Sequence, residues 1–93
     1  MLKVNEYFAG AVKSIGFTDQ TNTASVGVMS AGEYTFNTSC TEIMHIISGS
    51  AQIKLKPNDH WQDIAAGAQF TVEAHSSFLI KVSTDTAYLC QYR

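Results

Sequence analysis

Residues 42–49, Glu-Ile-Met-His-Ile-Ile-Ser-Gly, decide the fold. The stretch is short, apolar and β-branched, and it closes on a glycine. Side chains branched at Cβ fit a pleated, half-buried surface better than a helix. The run 50–56 follows at once with strict alternation, so the two segments read as strands meeting at a tight Ser48-Gly49-Ser50 corner. Glu42 is the only acid in the first strand. A carboxylate entering so apolar a segment pays for desolvation, and its presence calls for a reason.

The same reading extends outward in both directions. Strands are expected at 12–17, 24–29 (alternating through Val26 and Val28), 32–36, 61–64, 68–72, 77–83 and 86–93. In the last of these, Tyr88, Cys90 and Tyr92 share one face, and Leu89 and Gln91 share the other. Polar clusters read as connections: a loop at 18–23 with no apolar residue, a turn at 30–32, and a loop at 37–41 holding Cys40. Further turns fall at 57–60, 65–67 and 74–76. Residues 1–10 read as an arm in which Tyr7 and Phe8 anchor the open edge of a sheet, their own or a partner's. No segment has helical periodicity, and there are no repeats or linkers. Eight to ten short strands with regular turn signals mean an all-β sandwich or barrel.

Composition narrows the class. Ninety-three residues make one domain, 1–93, with a modest core. Only 15% of residues are charged, too few to coat a lone small sphere, so a homo-oligomer is expected, most simply a twofold dimer. The net charge is −2 and the six Lys and Arg residues are scattered, so no basic stripe exists for a nucleic-acid polymer. A single nucleoside or nucleotide stays possible. Cys40 and Cys90 fit no CxxC pattern. No leader is expected, since Met1-Leu2-Lys3 runs straight into polar residues. The default compartment is therefore a reducing cytoplasm, where two distant thiols stay free. No apolar run approaches membrane-spanning length.

The spacing of two motifs resembles that of small cupin barrels, a jelly-roll or double-stranded β-helix fold. Cupins carry a first motif with two histidines and a glutamate, with six residues between that glutamate and a closing glycine. Glu42 stands at this spacing from Gly49. Gly67 followed by Glu73 has the spacing of the second motif, with Glu73 in the place of a proline. The metal set is missing. The first two histidine positions fall among Thr35, Phe36, Asn37 and Thr38, and the second-motif histidine falls on Phe78. One carboxylate without imidazoles is a poor transition-metal site, so no metal ligands are assigned.

The resemblance sharpens along the whole chain. The segments 5–8 (Asn-Glu-Tyr-Phe), 12–17 (Val-Lys-Ser-Ile-Gly-Phe), 24–29 (Ala-Ser-Val-Gly-Val-Met), 32–36 (Gly-Glu-Tyr-Thr-Phe), 47–49 (Ile-Ser-Gly), 75–76 (His-Ser) and 88–90 (Tyr-Leu-Cys) resemble the small cupin family of broad-specificity pyrimidine/purine nucleoside phosphorylases. The resemblance implies phosphorolysis: a nucleoside and inorganic phosphate give free base and ribose 1-phosphate. It also implies a cytosolic, metal-independent homodimer with no cofactor beyond phosphate as co-substrate. Two departures stand out. The family carries proline-glycine before the histidine of the second motif, where this chain has Glu73-Ala74. It carries arginine between the cysteine and tyrosine of the last strand, where this chain has Gln91. An arginine facing the barrel interior suits phosphate, so Gln91 bears on phosphate binding. Arg93, on the same side of the strand, is a substitute at the chain end.

This chemistry needs groups that hold phosphate, face an oxocarbenium-like sugar and assist the leaving base. Glu42 reads as a ligand of ribose hydroxyls or of the sugar cation, or else as an edge carboxylate. His75 reads as a contact to phosphate or base, or else as a turn-stabilising imidazole. These two are the catalytic candidates. Tyr34, Phe36, Phe70, Phe78, Tyr88 and Tyr92 suit base stacking, or are simply core. Thr35, Thr38 and Ser48 offer hydroxyls to ribose or phosphate, or cap turns. Tyr34, Phe36, Thr38, Ser48, Phe78, Tyr88 and Gln91 are the substrate-binding candidates. His45 reads as structural, Glu33 and His60 as solvent-facing, Cys90 as a small buried apolar residue and Cys40 as an unreactive loop thiol. Two other classes stay open: a metal-dependent cupin oxygenase or isomerase, and a barrel that binds a small polar ligand without turning it over.

Overall fold

A computed structural model describes residues 2–20 and 22–93. Ten strands follow one another: β1 (Lys3–Tyr7), β2 (Val12–Asp19), β3 (Asn22–Met29), β4 (Gly32–Asn37), β5 (Glu42–Ser48), β6 (Ser50–Leu55), β7 (Gln62–Ala65), β8 (Gln69–Val72), β9 (Ser77–Val82) and β10 (Thr86–Tyr92). They form a six-stranded sheet in the order β1-β2-β3-β10-β5-β8 and a four-stranded sheet in the order β4-β9-β6-β7. Every pairing is antiparallel. From β3 onward the chain changes sheet at every connection except that between β6 and β7, which closes the two layers into a barrel.

The corner at Gly49 is the sharpest of these crossings. Its φ of +88° lies where side-chain-bearing residues are strained. An added Cβ would also stand 2.6 Å from Thr86 Oγ1, so glycine is required on two counts. The turn sends β5 into one sheet and β6 into the other, and their apolar positions meet inside. Met44 and Ile46 on β5, Ile53 on β6, Phe78, Ile80 and Val82 on β9, and Tyr88 and Cys90 on β10 form the core. Each large side chain buried this completely contributes about 1.5–3 kcal/mol.

Three expectations are corrected. First, the arm contains a strand: β1 pairs with β2 along its whole length, and a left-handed turn through Phe8, Ala9 and Gly10 then brings Phe8 onto Tyr34, ring centroids 4.9 Å apart. Tyr7 and Phe8 thus cover the edge strand β4 of their own barrel. Second, most of the polar stretch 18–23 is ladder. Thr18 pairs with Thr23 and Asp19 with Asn22, because the register set by the apolar β2–β3 pairs continues through β-branched threonines. Met1 and Thr21, within the expected arm and loop, lie outside the described residues. Third, β3 begins at Asn22, two residues before the expected start; along it Val26 and Val28 face outward, 38% and 49% exposed, while Ser25, Gly27 and Met29 face the core. Gly27 decides this phase. A Cβ there would meet Tyr88 Oη at 2.7 Å and the Lys13 carbonyl at 2.6 Å, so only glycine admits the Tyr88 ring.

Candidate active site

Glu42 opens β5, opposite Val72 of β8 on one side and Tyr92 of β10 on the other. The inward phase of Met44 and Ile46 carries back to it, so its carboxylate enters the barrel. There it lines an open cavity of about 200 Å³. Phe36 and Phe78 make one wall, stacked with centroids 5.7 Å apart and planes 27° off parallel. Tyr88, Cys90 and Tyr92 of β10 make another, and Ser14 of β2 faces them. Asn37 and Tyr7, both exposed, stand at the mouth. Tyr7 meets Phe36 edge-on, centroids 6.4 Å apart.

The electrostatics follow from the walls. Burial among apolar and aromatic groups pushes the Glu42 carboxyl above its ordinary range, and a hydrogen bond donated by the Cys90 thiol, Sγ to Oε1 3.4 Å, pulls the other way. Burial pushes the Tyr88 hydroxyl up to about 12. It also pushes up the Cys90 thiol, with the Glu42 charge adding to the effect, and the Tyr92 hydroxyl. All three therefore stay protonated near neutral pH and act as uncharged donors. The Tyr92 hydroxyl lies 2.8 Å from Ser25 Oγ. No lysine, arginine or histidine is among the described residues that line the cavity.

Of the expected site residues, Glu42, Phe36, Phe78 and Tyr88 come together here. Tyr34 does not reach the cavity lining: it is buried, and its hydroxyl donates to the Ser30 carbonyl at 2.7 Å. Thr38 is buried and used as a staple. Its Oγ1 donates to the Glu73 carbonyl at 2.6 Å and accepts from the Ser76 amide at 2.9 Å. That staple ties the 73–76 turn to the rim, next to Asn37. His75 sits in this turn, exposed, with φ +56°, at the same end of the barrel as Glu42 but outside the cavity lining. Ser48 is exposed at the opposite end of β5, about 20 Å from Glu42 at the usual rise per residue.

Gln91 lies on the outer face of the six-stranded sheet, so the expectation of an interior group at this position is corrected. The alternation that sends Tyr88, Cys90 and Tyr92 inward sends Gln91 outward. There its Nε2 donates to Asp19 Oδ2 at 3.1 Å, and its Oε1 lies 2.8 Å from His45 Nε2. A carboxylate only accepts, which fixes the amide orientation and makes His45 Nε2 the donor. Arg93 completes this outer cluster, with its guanidinium 3.4 Å from the same Asp19 oxygen. Tyr7, expected only as an edge anchor, also lines the cavity, as do Ser14 and Asn37, to which the sequence assigned no site role. Ser14 was available from phase alone, two residues after the buried Val12.

A metal does not fit this cavity. Among the described residues no three His, Cys, Asp or Glu side chains converge. Glu42 has Cys90 beside it, and aromatic rings occupy the remaining walls. Phe78 stands where the spacing of cupins expects a histidine.

The comparisons with known proteins agree with this geometry. A family model described as pyrimidine/purine nucleoside phosphorylase matches residues 2–92. A protein of that name from Pseudomonas aeruginosa (strain LESB58) is 57% identical over 93 residues, covering all of both chains. Another from Pseudomonas entomophila (strain L48) is also 57% identical, covering all of this chain and 99% of that one. A crystal structure of a protein of unknown function from Vibrio parahaemolyticus superposes with a TM-score of 0.96 at 44% identity, covering 100% and 99% of the two chains. An RmlC-like cupin from Shewanella frigidimarina shares the fold alone, with a TM-score of 0.77 at 15% identity over 99% and 83% of the chains. The barrel is thus cupin-like, and the chain belongs to the pyrimidine/purine nucleoside phosphorylase family.

Proposed function

We propose that this protein cleaves purine and pyrimidine nucleosides with inorganic phosphate, without a metal, giving free base and ribose 1-phosphate. The observation that carries the reading is Glu42, a carboxylate held in an aromatic-walled cavity with no lysine, arginine or histidine among the described residues of its lining. In phosphorolysis the bond from C1′ to the base nitrogen breaks, a phosphate oxygen bonds to C1′, and the departing base takes up a proton. Positive charge builds on the sugar ring before phosphate closes on it. A carboxylate in low-dielectric surroundings is most attractive to that transient charge and gains little from the neutral ground state, which is the requirement for catalysis. The Phe36–Phe78 wall offers a π-face that any base can stack on, which supports acceptance of both purines and pyrimidines.

No lysine, arginine or histidine is among the described residues of the lining, so phosphate is met at the mouth, where the stapled 73–76 turn presents His75. The absence of a lining cation equally suits a barrel that holds a nucleoside without turning it over. One experiment decides: release of free base from a panel of ribonucleosides, with and without phosphate and with and without a chelator. Release that needs phosphate and survives chelation supports the proposal, and no release from a folded protein refutes it.

A homodimer belongs to the same reading. Val4, Ile15 and Val26 lie in register across β1, β2 and β3 on the outer face of the six-stranded sheet, all exposed, with Val28 beside them. A contiguous apolar sheet face of this kind supports pairing with a second copy.

A further inference from the structure

Cys90 is 2% exposed and stands on β10 between Ser25 of β3 and Met44 of β5. As a small apolar residue it would need only to fill space. Its sulfur instead lies 3.4 Å from Glu42 Oε1, within the range of a thiol donor. Among the described residues this is the only side-chain hydrogen bond that reaches Glu42. Tyr92, two residues on along the same inward face of β10, has its hydroxyl 2.8 Å from Ser25 Oγ.

We propose that Cys90 is a positioning residue for phosphorolysis: its thiol donates to Glu42 Oε1 and holds the carboxylate in the orientation in which it meets the sugar. The inference rests on the role given to Glu42 above. Three physical points support it. First, a glutamate on an open cavity wall has several rotamers, and one fixed oxygen leaves the other free to face the substrate. Second, the thiol is a dependable donor, because burial and the neighbouring carboxylate both oppose its ionisation. Third, a donor aimed at the carboxylate favours the charged form, which burial otherwise disfavours. The titratable groups near Glu42 are Tyr88, Cys90 and Tyr92 on β10, with Tyr7 of β1 on the same cavity and Cys40 within electrostatic reach of Cys90. None of them is a cation, so the thiol has no stronger competitor for this task.

The test uses the full-length protein and the variants Cys90→Ala and Cys90→Ser. Cys90→Val, which fills the site without a donor, replaces Cys90→Ala if the latter does not fold. The titration of the Glu42 carboxyl is followed by carbon-detected NMR, and kcat/KM for phosphorolysis is measured against pH. Removing the donor should move the Glu42 midpoint to higher pH. On the acid side kcat/KM should fall about five-fold, as expected for one modest hydrogen bond to a charged acceptor, and it should stay below wild type at alkaline pH, where the ionised carboxylate is no longer held in place. Cys90→Ser restores a donor and should return both curves toward wild type. A purely space-filling cysteine would move neither midpoint nor limb. An unchanged Glu42 midpoint in Cys90→Ala overturns the proposal and leaves the role of Glu42 standing. A shifted midpoint with an unshifted rate profile removes Glu42 from the chemistry, and the positioning role of Cys90 falls with it.

Discussion

Glu42→Gln should make the protein more stable and nearly inactive at the same time. The stability half follows from the direction of the carboxyl's shift. Its pKa is raised in the folded state, so the folded protein favours the protonated form. The benefit of that preference is full below the unfolded pKa and is lost as pH rises through the folded one. Above the folded pKa both states are ionised, and the folded state bears the whole cost of a half-buried carboxylate. A neutral amide of the same shape removes that cost. Solvent screening at this partly exposed site keeps the gain below about 1 kcal/mol, a rise of at most roughly 4–8 °C in Tm for a domain of this size. The gain should shrink as pH falls through the folded pKa and vanish below the unfolded one, where Glu42 is neutral in both states. The activity half follows from the missing charge: loss of one fixed electrostatic partner of a transition state costs about 10²–10³ in kcat. Thermal melts at pH 4 and 7.5, with phosphate-dependent base release at pH 7.5, check both halves. A variant that melts no higher than wild type at pH 7.5 refutes the desolvation argument. One that turns over at the wild-type rate refutes the catalytic argument.

Other sites give separate tests. His75→Asn keeps a residue that tolerates the left-handed backbone, so it should fold normally and raise KM for phosphate about ten-fold with little change in KM for nucleoside; initial rates at varied phosphate decide this. Gly27→Ala places a methyl against the Lys13 carbonyl and the Tyr88 ring, and should cost about 1–3 kcal/mol in denaturant unfolding while displacing Tyr88 from the cavity wall. Val26→Lys puts a charge in the middle of the exposed apolar face, and should turn a dimer into a folded monomer by light scattering coupled to size exclusion.

The fold was legible because strand phase repeats. Phe78, Ile80 and Val82, and then Tyr88 and Cys90, alternate so regularly that their burial could be read directly from the sequence. β3 was harder. Its valines are the obvious core candidates, yet they face out, because the deciding interaction is between Gly27 and a tyrosine sixty-one residues away. Local pattern carries no trace of such a contact. The stretch 18–23 failed for a related reason: its polarity argued for a loop, while its register was set by apolar pairs further up the hairpin. Within the site, Glu42 and Phe78 were reachable from motif spacing. Ser48 could have been set aside from sequence alone, since a seven-residue strand separates it from Glu42. Gln91 could have been set aside too, because it alternates with Tyr88 and Cys90. Tyr7 was out of reach: its place at the mouth depends on three successive left-handed residues, two of which are not glycine.

The proposed chemistry gives a physical sense to what this barrel keeps and what it lacks relative to the cupin motif. In the motif, histidines and a glutamate surround a cation. Here the glutamate position is kept, the second-motif histidine position is Phe78, and Phe36 lies in the stretch of the first two. An isolated carboxylate in that cavity is costly at rest, as its raised pKa records. The cost is tolerable if the cation arrives with the reaction, as charge on the sugar ring, and leaves with the product. Aromatic walls serve this arrangement better than imidazoles would. They exclude water around Glu42, which strengthens its attraction to the transient charge, and they present a flat apolar face to the base. A fixed cation beside Glu42 would do the opposite, neutralising the carboxylate before the sugar needed it. On the proposed mechanism, the lack of lysine, arginine and histidine among the described lining residues serves the reaction, and phosphate would be met at the mouth.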